Sequence, residues 1–174
     1  MSKYFTFQNS SDKVAIPEDW MKLSNFIQDI PMEAVEMEEI PLIGYDKPEV
    51  ELLIELVDFI KANDSATYNA ALHSSANINT ENFNNLNFEK FLKVEERTRI
   101  QALNLSDYLG LVIARKFLIG AMADKIIRLK DDVISINKLL GGQMLTPQDC
   151  IDNGIPADDK LWDAFPHVKE VIFG

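Results

Sequence analysis

The chain of 174 residues contains one cysteine and two histidines, and this scarcity excludes several kinds of chemistry. Cys150 alone cannot form an internal disulfide, which is typical of proteins from the reducing interior of a cell, so we expect a cytoplasmic or nuclear location. His73, Cys150 and His167 lack the spacing of metal ligands. The sequence therefore predicts neither a metal site nor a cofactor.

Basic residues are also scarce, since 17 lysines and arginines face 28 aspartates and glutamates and the formal net charge is -11. An acidic surface repels phosphate backbones and anionic headgroups, so we expect no nucleic-acid partner and no membrane partner. The most apolar stretch, 109–127, is interrupted by four charged residues and two glycines. Each charge would cost about 2.5–3.5 kcal/mol at the centre of a bilayer, which argues against a membrane span.

Motifs of catalysis are missing as well. The sequence has no glycine-rich phosphate loop, no nucleophile elbow and no helix with paired histidines. Asp131 and Asp132 are adjacent carboxylates, but they precede an apolar helical pattern and are typical of a helix N-cap. We expect the protein not to be an enzyme.

The patterns that are present predict an α+β fold. Alternating apolar residues predict a hairpin of two short strands, Lys3–Phe7 and Lys13–Ile16, and a third strand at Ile40–Gly44. One continuous helix is predicted between Pro17 and Pro31. Apolar residues on one face of this helix are Trp20, Leu23, Phe26, Ile27 and Ile30.

The rest of the chain is predicted to be helical apart from one polar segment. Asp46 and Glu49 form the pattern of a capping box at the start of a helix. The segment from about 64 to 87 is rich in Asn, Ser and Thr and predicts a long, exposed, mobile loop, in which only "ATYNAALH" (66–73) has the character of a transient helical turn. Only helices are expected after this loop, with one or two short ones in the final tail from residue 143 onwards.

One block resembles a known family. The stretch Phe91–Ile126, "FLKVEERTRIQALNLSDYLGLVIARKFLIGAMADKI", resembles without gaps the S-phase kinase-associated adaptor family of SCF ubiquitin ligases. The family has a Phe-Leu-Lys-Val start, an Asn-Tyr-Leu junction and a final apolar helix. The matching residues here are Phe91-Leu92-Lys93-Val94, Tyr108-Leu109, Ala123 and Ile126. Outside this block the likeness is one of pattern, over about residues 3–149.

The resemblance implies a BTB/POZ fold, with a small three-stranded sheet and a helical layer, over residues 1–127. It implies a C-terminal helical extension over 128–174, of the kind that binds F-box motifs, with a divergent tail. The implied function is that of a non-catalytic adaptor, which bridges a cullin scaffold to F-box substrate receptors.

The resemblance also implies a surface that faces the cullin scaffold. In the family, the Asn-Tyr of the junction contributes to this contact, and the matching residues here are Asp107 and Tyr108. Aspartate replaces asparagine in this chain, and an unpaired carboxylate is costly to bury. Binding of a cullin-type scaffold therefore requires that the partner supply a cation.

A second implied surface is an apolar groove for the F-box-like helical motif of a substrate receptor. Large exposed apolar patches on monomers are typical of such sites. The candidate groove residues are Phe117, Met122, Ile126, Ile136, Leu139, Leu140 and Trp162. Two alternatives stay open: the tail folds back and buries this surface, or the protein is a self-associating BTB/POZ scaffold, a homodimer that has lost cullin binding.

Overall fold

The computed structural model describes residues 3–30, 38–73, 78, 86–130, 132–143 and 145–174. The chain forms two compact units, Met1–Ala121 and Met122–Gly174. The division falls within a helix and precedes residue 127, where the resemblance places the end of the first domain. Each unit is described by itself.

The first unit contains the three predicted strands. They are β1 (Tyr4–Phe7), β2 (Ser10–Ala15) and β3 (Glu39–Leu42), in the order β2-β1-β3. Strand β1 pairs antiparallel with β2 and parallel with β3. Phe5 and Phe7 of β1 are buried while their neighbours are half-exposed, as expected of a sheet that covers a core with one face.

The predicted continuous helix after Pro17 is wrong. Two short helices form instead, α1 (Trp20–Leu23) and α2 (Asn25–Gln28), with Ser24 between them in an extended conformation. The Ser24 hydroxyl donates a hydrogen bond to the backbone carbonyl of Leu109 at 2.6 Å and accepts one from the Ile27 amide at 3.2 Å. A partner 85 residues away therefore holds Ser24 out of the helix.

Longer helices complete the first unit. They are α3 (Lys47–Asn63), α4 (Ser65–His73), α5 (Glu89–Leu92), α6 (Glu96–Tyr108) and the first part of α7 (Val112–Leu129). The predicted capping box is confirmed, because the Asp46 amide donates to the Glu49 carboxylate at 2.8 Å. Helix α3 packs against α4, α6 and β2. Fully buried residues of this core include Phe5, Trp20, Leu53, Leu56, Ile60, Phe91 and Leu105.

The predicted mobile loop at about 64–87 is wrong in its first part. Residues Ser65–His73 form helix α4, in which Tyr68 and Ala71 are buried. Ile78 is buried too, and its carbonyl accepts a hydrogen bond from the Lys116 ammonium at 3.1 Å. Residues 74–77 and 79–85 of this prediction lie outside the described residues.

The second unit is built from short helices. After the end of α7 come α8 (Val133–Leu139), α9 (Pro147–Asp152), α10 (Leu161–Ala164) and α11 (Pro166–Phe173). The described tail thus forms three short helices where one or two were predicted. Helix α11 packs against α8 and α10, and a small core consists of Cys150, Trp162 and Ile172.

A polar cluster ties α1 to α3 and α4. The Asp19 carboxylate accepts hydrogen bonds from the Lys61 ammonium at 2.7 Å and from the Tyr68 hydroxyl. Burial acts to raise the pKa of Asp19, but these two hydrogen bonds outweigh it and the pKa is lowered. Burial, followed by the hydrogen bond with Asp19, raises the pKa of Tyr68 to about 12.

Replacement of Tyr68 tests this cluster. Because the pKa of Asp19 is lowered, its contribution to stability is present above its ordinary value of 3.8 and is lost as the pH falls below it. Because the pKa of Tyr68 is raised, its contribution is present below pH 10 and is lost as the pH rises towards 12. We expect Tyr68→Phe to lower the free energy of unfolding by about 1–2 kcal/mol at pH 7 and by less at pH 3, in urea titrations.

Tyr4→Phe is the matched control, since Tyr4 is a half-buried tyrosine of β1 outside the cluster. The free energy of unfolding of Tyr4→Phe should change between pH 7 and pH 3 by the same amount as that of the wild type. An equal loss of stability from Tyr68→Phe at both pH values would contradict the conclusion that the Tyr68 hydroxyl stabilises the protein through the charged Asp19 carboxylate.

The turn between α6 and α7 requires glycine at position 110. Gly110 has a φ of +61°, and a Cβ atom there would lie 2.8 Å from the Asn25 Cβ. We expect Gly110→Ala to lower the free energy of unfolding by about 2–4 kcal/mol, because backbone strain and a steric clash add together. Chemical denaturation followed by circular dichroism measures this loss.

Gly44→Ala separates the two causes. Gly44 also has a positive φ, +83°, but nothing lies within 4 Å of the added Cβ. We expect a loss of about 1 kcal/mol, from strain alone. Equal losses in the two variants would show that the contact of Gly110 with Asn25 is unimportant.

Candidate functional site

An exposed aromatic cluster lies at the C-terminal end of α6. Tyr108 is 50% exposed, and its ring centroid lies 5.0 Å from that of Phe26 and 6.0 Å from that of Tyr45. We call Phe26, Tyr45, Asp107, Tyr108 and Arg115 the Tyr108 surface. All five residues belong to the first unit, so the arrangement is internal to it.

Backbone contacts set the position of this surface. The amide of Phe26 donates to the carbonyl of Leu109 at 3.2 Å, beside the hydrogen bond from Ser24 to the same carbonyl. Ser24 and Leu111 also form an isolated antiparallel bridge. These contacts fix α2 against the junction of α6 and α7, which places the Phe26 ring against that of Tyr108.

Asp107 is paired within the chain. The Arg115 guanidinium donates a hydrogen bond to the Asp107 carboxylate across the Gly110 turn. The pKa of Tyr45 is raised, first by burial and then by the neighbouring Tyr108 and Asp107. The sequence predicted that a bound protein must supply a cation to Asp107, but Arg115 of the same chain already supplies one.

Sequence reasoning found part of this surface. The structure brings the predicted residues Asp107 and Tyr108 together on an exposed face, but the contributions of Phe26, Tyr45 and Arg115 were missed. Phe26 was predicted only as one of the residues on the apolar face of the helix after Pro17. A signal for Arg115 was present, since it follows Asp107 by eight residues across a glycine turn and has the opposite charge.

Phe117 is not accessible to a partner, which corrects its assignment to the groove. It is 0% exposed and belongs to the core of the first unit. Its ring packs edge-to-face against Phe88 at 4.2 Å, Phe91 at 6.1 Å and Phe59 at 6.2 Å between centroids. Three aromatic residues from distant segments therefore cover the side of α7 that the sequence pattern left uncovered.

Three further groove candidates, Met122, Leu139 and Trp162, are also buried, at 5%, 8% and 6% exposure. Trp162 serves the core of the second unit, because its ring packs against Phe173 and its indole N–H donates to the Pro156 carbonyl at 2.8 Å. These residues are too enclosed for direct contact with a partner, which corrects their assignment.

The remaining groove candidates are more accessible to a partner. Ile126 and Ile136 are half-buried, and Leu140 is 49% exposed. Within the described residues, the second unit exposes eight large apolar side chains and buries five apolar ones. We call the eight the second-unit apolar set: Ile127, Ile134, Leu140, Leu145, Ile151, Leu161, Phe165 and Val171.

Other kinds of site have less support. In the part of the chain that the structure describes, no group of three or more His, Cys, Asp or Glu residues has the arrangement of a metal site. An open depression of about 480 Å³ is lined by Glu18, Asp19, Lys22, Lys61, Tyr68 and Leu72. Its central carboxylate, Asp19, is already bonded to Lys61 and Tyr68, so the depression offers a structural cluster rather than a reactive group.

Among the described residues, none of the helices combines the length and the apolar character that crossing a bilayer requires.

Comparisons of the chain with protein families, with curated proteins and with solved structures found no match. The α+β architecture, the Tyr108 surface and the second-unit apolar set therefore rest on the sequence and the structure of this chain alone.

Proposed function

We propose that the protein is a non-catalytic adaptor with a BTB/POZ-type first unit, which joins a cullin-type scaffold to an F-box-like helical motif of a substrate receptor. The observation that carries the proposal is the second-unit apolar set. The core of the second unit leaves more large apolar residues in solvent than it buries. The unit therefore gains stability when a partner covers these exposed residues. Amphipathic helices bind such surfaces through apolar residues on one face.

The Tyr108 surface supports the scaffold side of the proposal. Tyrosine side chains that a partner can cover are enriched among the residues that contribute most of the binding energy at protein interfaces. Tyr108 meets this description, because Phe26 and Tyr45 hold its ring while half of the residue stays in solvent. The resemblance of Phe91–Ile126 to the adaptor family assigns the same residue to the scaffold contact.

Binding of an F-box segment tests the receptor side. We expect the purified chain to form a soluble complex with a co-expressed F-box segment. The double variant Ile134→Asp/Leu140→Asp should weaken binding at least about tenfold, because two apolar contacts are replaced by charges that must be desolvated. Titration calorimetry measures the affinities, and thermal unfolding shows that the variant is folded.

Ile43→Asp is the matched control, since Ile43 is 74% exposed in the first unit and outside the second-unit apolar set. It should bind the F-box segment as the wild type does. A folded, monodisperse wild-type chain that binds no F-box segment contradicts the adaptor function. A tight homodimer in sedimentation that survives addition of the F-box segment would favour the self-associating scaffold instead.

Replacement of Tyr108 tests the scaffold side. We expect Tyr108→Ala to weaken binding to a purified cullin by about 10–100-fold, because the central aromatic ring of the contact is lost. Tyr108→Phe keeps the ring and should bind within about threefold of the wild type. Wild-type affinity in Tyr108→Ala would exclude this surface as the scaffold contact.

A further inference from the structure

Asp107 and Arg115 each occupy an electrostatically unfavourable helix end. Asp107 lies in the last turn of α6, where the helix dipole disfavours negative charge, and that turn contains no basic residue. Arg115 is the fourth residue of α7, whose first turn contains no acidic residue. Neither charge is compensated within its own helix end. The pairing across the Gly110 turn therefore offsets the unfavourable interaction of each charge with its helix dipole.

The pair contributes little to folding by itself. The Arg115 side chain is 39% exposed and the Asp107 side chain is 65% exposed. Exposed ion pairs of this kind stabilise a protein by about 0–1 kcal/mol. The pair therefore gives only a small gain in stability to the free chain, and we expect a larger effect of the pair when this surface is covered.

We expect a partner that covers both Tyr108 and Tyr45 to remove water from Asp107 as well. Asp107 and Tyr108 are adjacent, and the field of Asp107 reaches Tyr45 in the same aromatic cluster. A carboxylate that loses its water without a paired cation is expensive to bury, whereas a carboxylate that keeps its hydrogen-bonded cation is much less so. Arg115 already donates to this carboxylate.

We infer that Arg115 is a positioning residue of the scaffold contact, which neutralises Asp107 when the partner covers Tyr108, so that the partner needs no cation opposite Asp107. This inference rests on the proposed adaptor function. It predicts energetic coupling between the two positions: loss of Arg115 harms binding only while the carboxylate is present. Loss of the carboxylate is tolerated, because the long Arg115 side chain can extend its charged end into solvent.

A double-mutant cycle tests the inference. The affinity of four chains for a purified cullin is measured by calorimetry: wild type, Arg115→Ala, Asp107→Asn and the double variant. We expect Arg115→Ala to weaken binding about 10–100-fold, and Asp107→Asn to weaken it no more than about threefold. The double variant should lie within about threefold of Asp107→Asn.

Two controls separate this effect from misfolding and from net charge. Thermal unfolding of Arg115→Ala should shift by less than about 4 °C, as expected for loss of an exposed pair. Lys13→Ala removes a cation of similar exposure, which is paired with Glu39 in the sheet, and should not alter cullin affinity.

The outcomes are distinguishable. A wild-type chain that binds the cullin, with equal losses from Arg115→Ala whether or not Asp107→Asn is also present, overturns the inference and leaves the adaptor function standing. A tenfold loss from Lys13→Ala overturns it as well, because net charge would then explain the effect. A wild-type chain that does not bind the cullin overturns both the inference and the scaffold side of the proposed function.

Discussion

The hydrogen bond from the Ser24 hydroxyl to the Leu109 carbonyl joins two segments that are 85 residues apart, and the proposed scaffold surface depends on it. It divides the helical stretch after Pro17 into α1 and α2, and it holds α2 against the turn between α6 and α7. Ser24 is fully buried, so a hydroxyl without this partner would carry the cost of an unsatisfied polar group. The positions of Phe26 and Tyr108 follow from this constraint, as does the requirement for glycine at position 110.

The two units differ in how completely they bury their apolar residues. The first unit encloses most of the apolar residues in its part of the apolar stretch: Leu109, Leu111, Ala114, Phe117 and Leu118 are fully buried, whereas Ile119 is 50% exposed. Phe59, Phe88 and Phe91 supply much of the cover for Phe117, and Lys90 lies over the rings of Phe59 and Phe91 at 4.9 and 4.5 Å from their centroids. The second unit has a small core and a larger exposed apolar set. A partner helix therefore has more to gain on the second unit than on the covered part of α7.

The Tyr108 surface differs in charge from the protein as a whole. The chain carries a net charge of -11, which opposes close association of identical copies, yet the Tyr108 surface carries one acidic and one basic residue that neutralise each other. A neutral aromatic surface on an acidic protein can be covered without a matching patch of positive charge on the partner. Asp107, at the position where the adaptor family that the chain resembles has asparagine, is thereby compatible with the proposed scaffold contact.

Patterns within single segments determined the α+β class, the three strands and the capping box at Asp46, because periodicity, turn residues and caps are local properties. They also marked α7 as unusually apolar, but they could not say which residues cover it. Tertiary structure alone decided that Ser24 interrupts a helix, that Ser65–His73 forms a helix packed against α3, and that Phe117 is core rather than surface. Each of these outcomes depends on a contact between different segments, and such contacts leave no periodic trace in either segment.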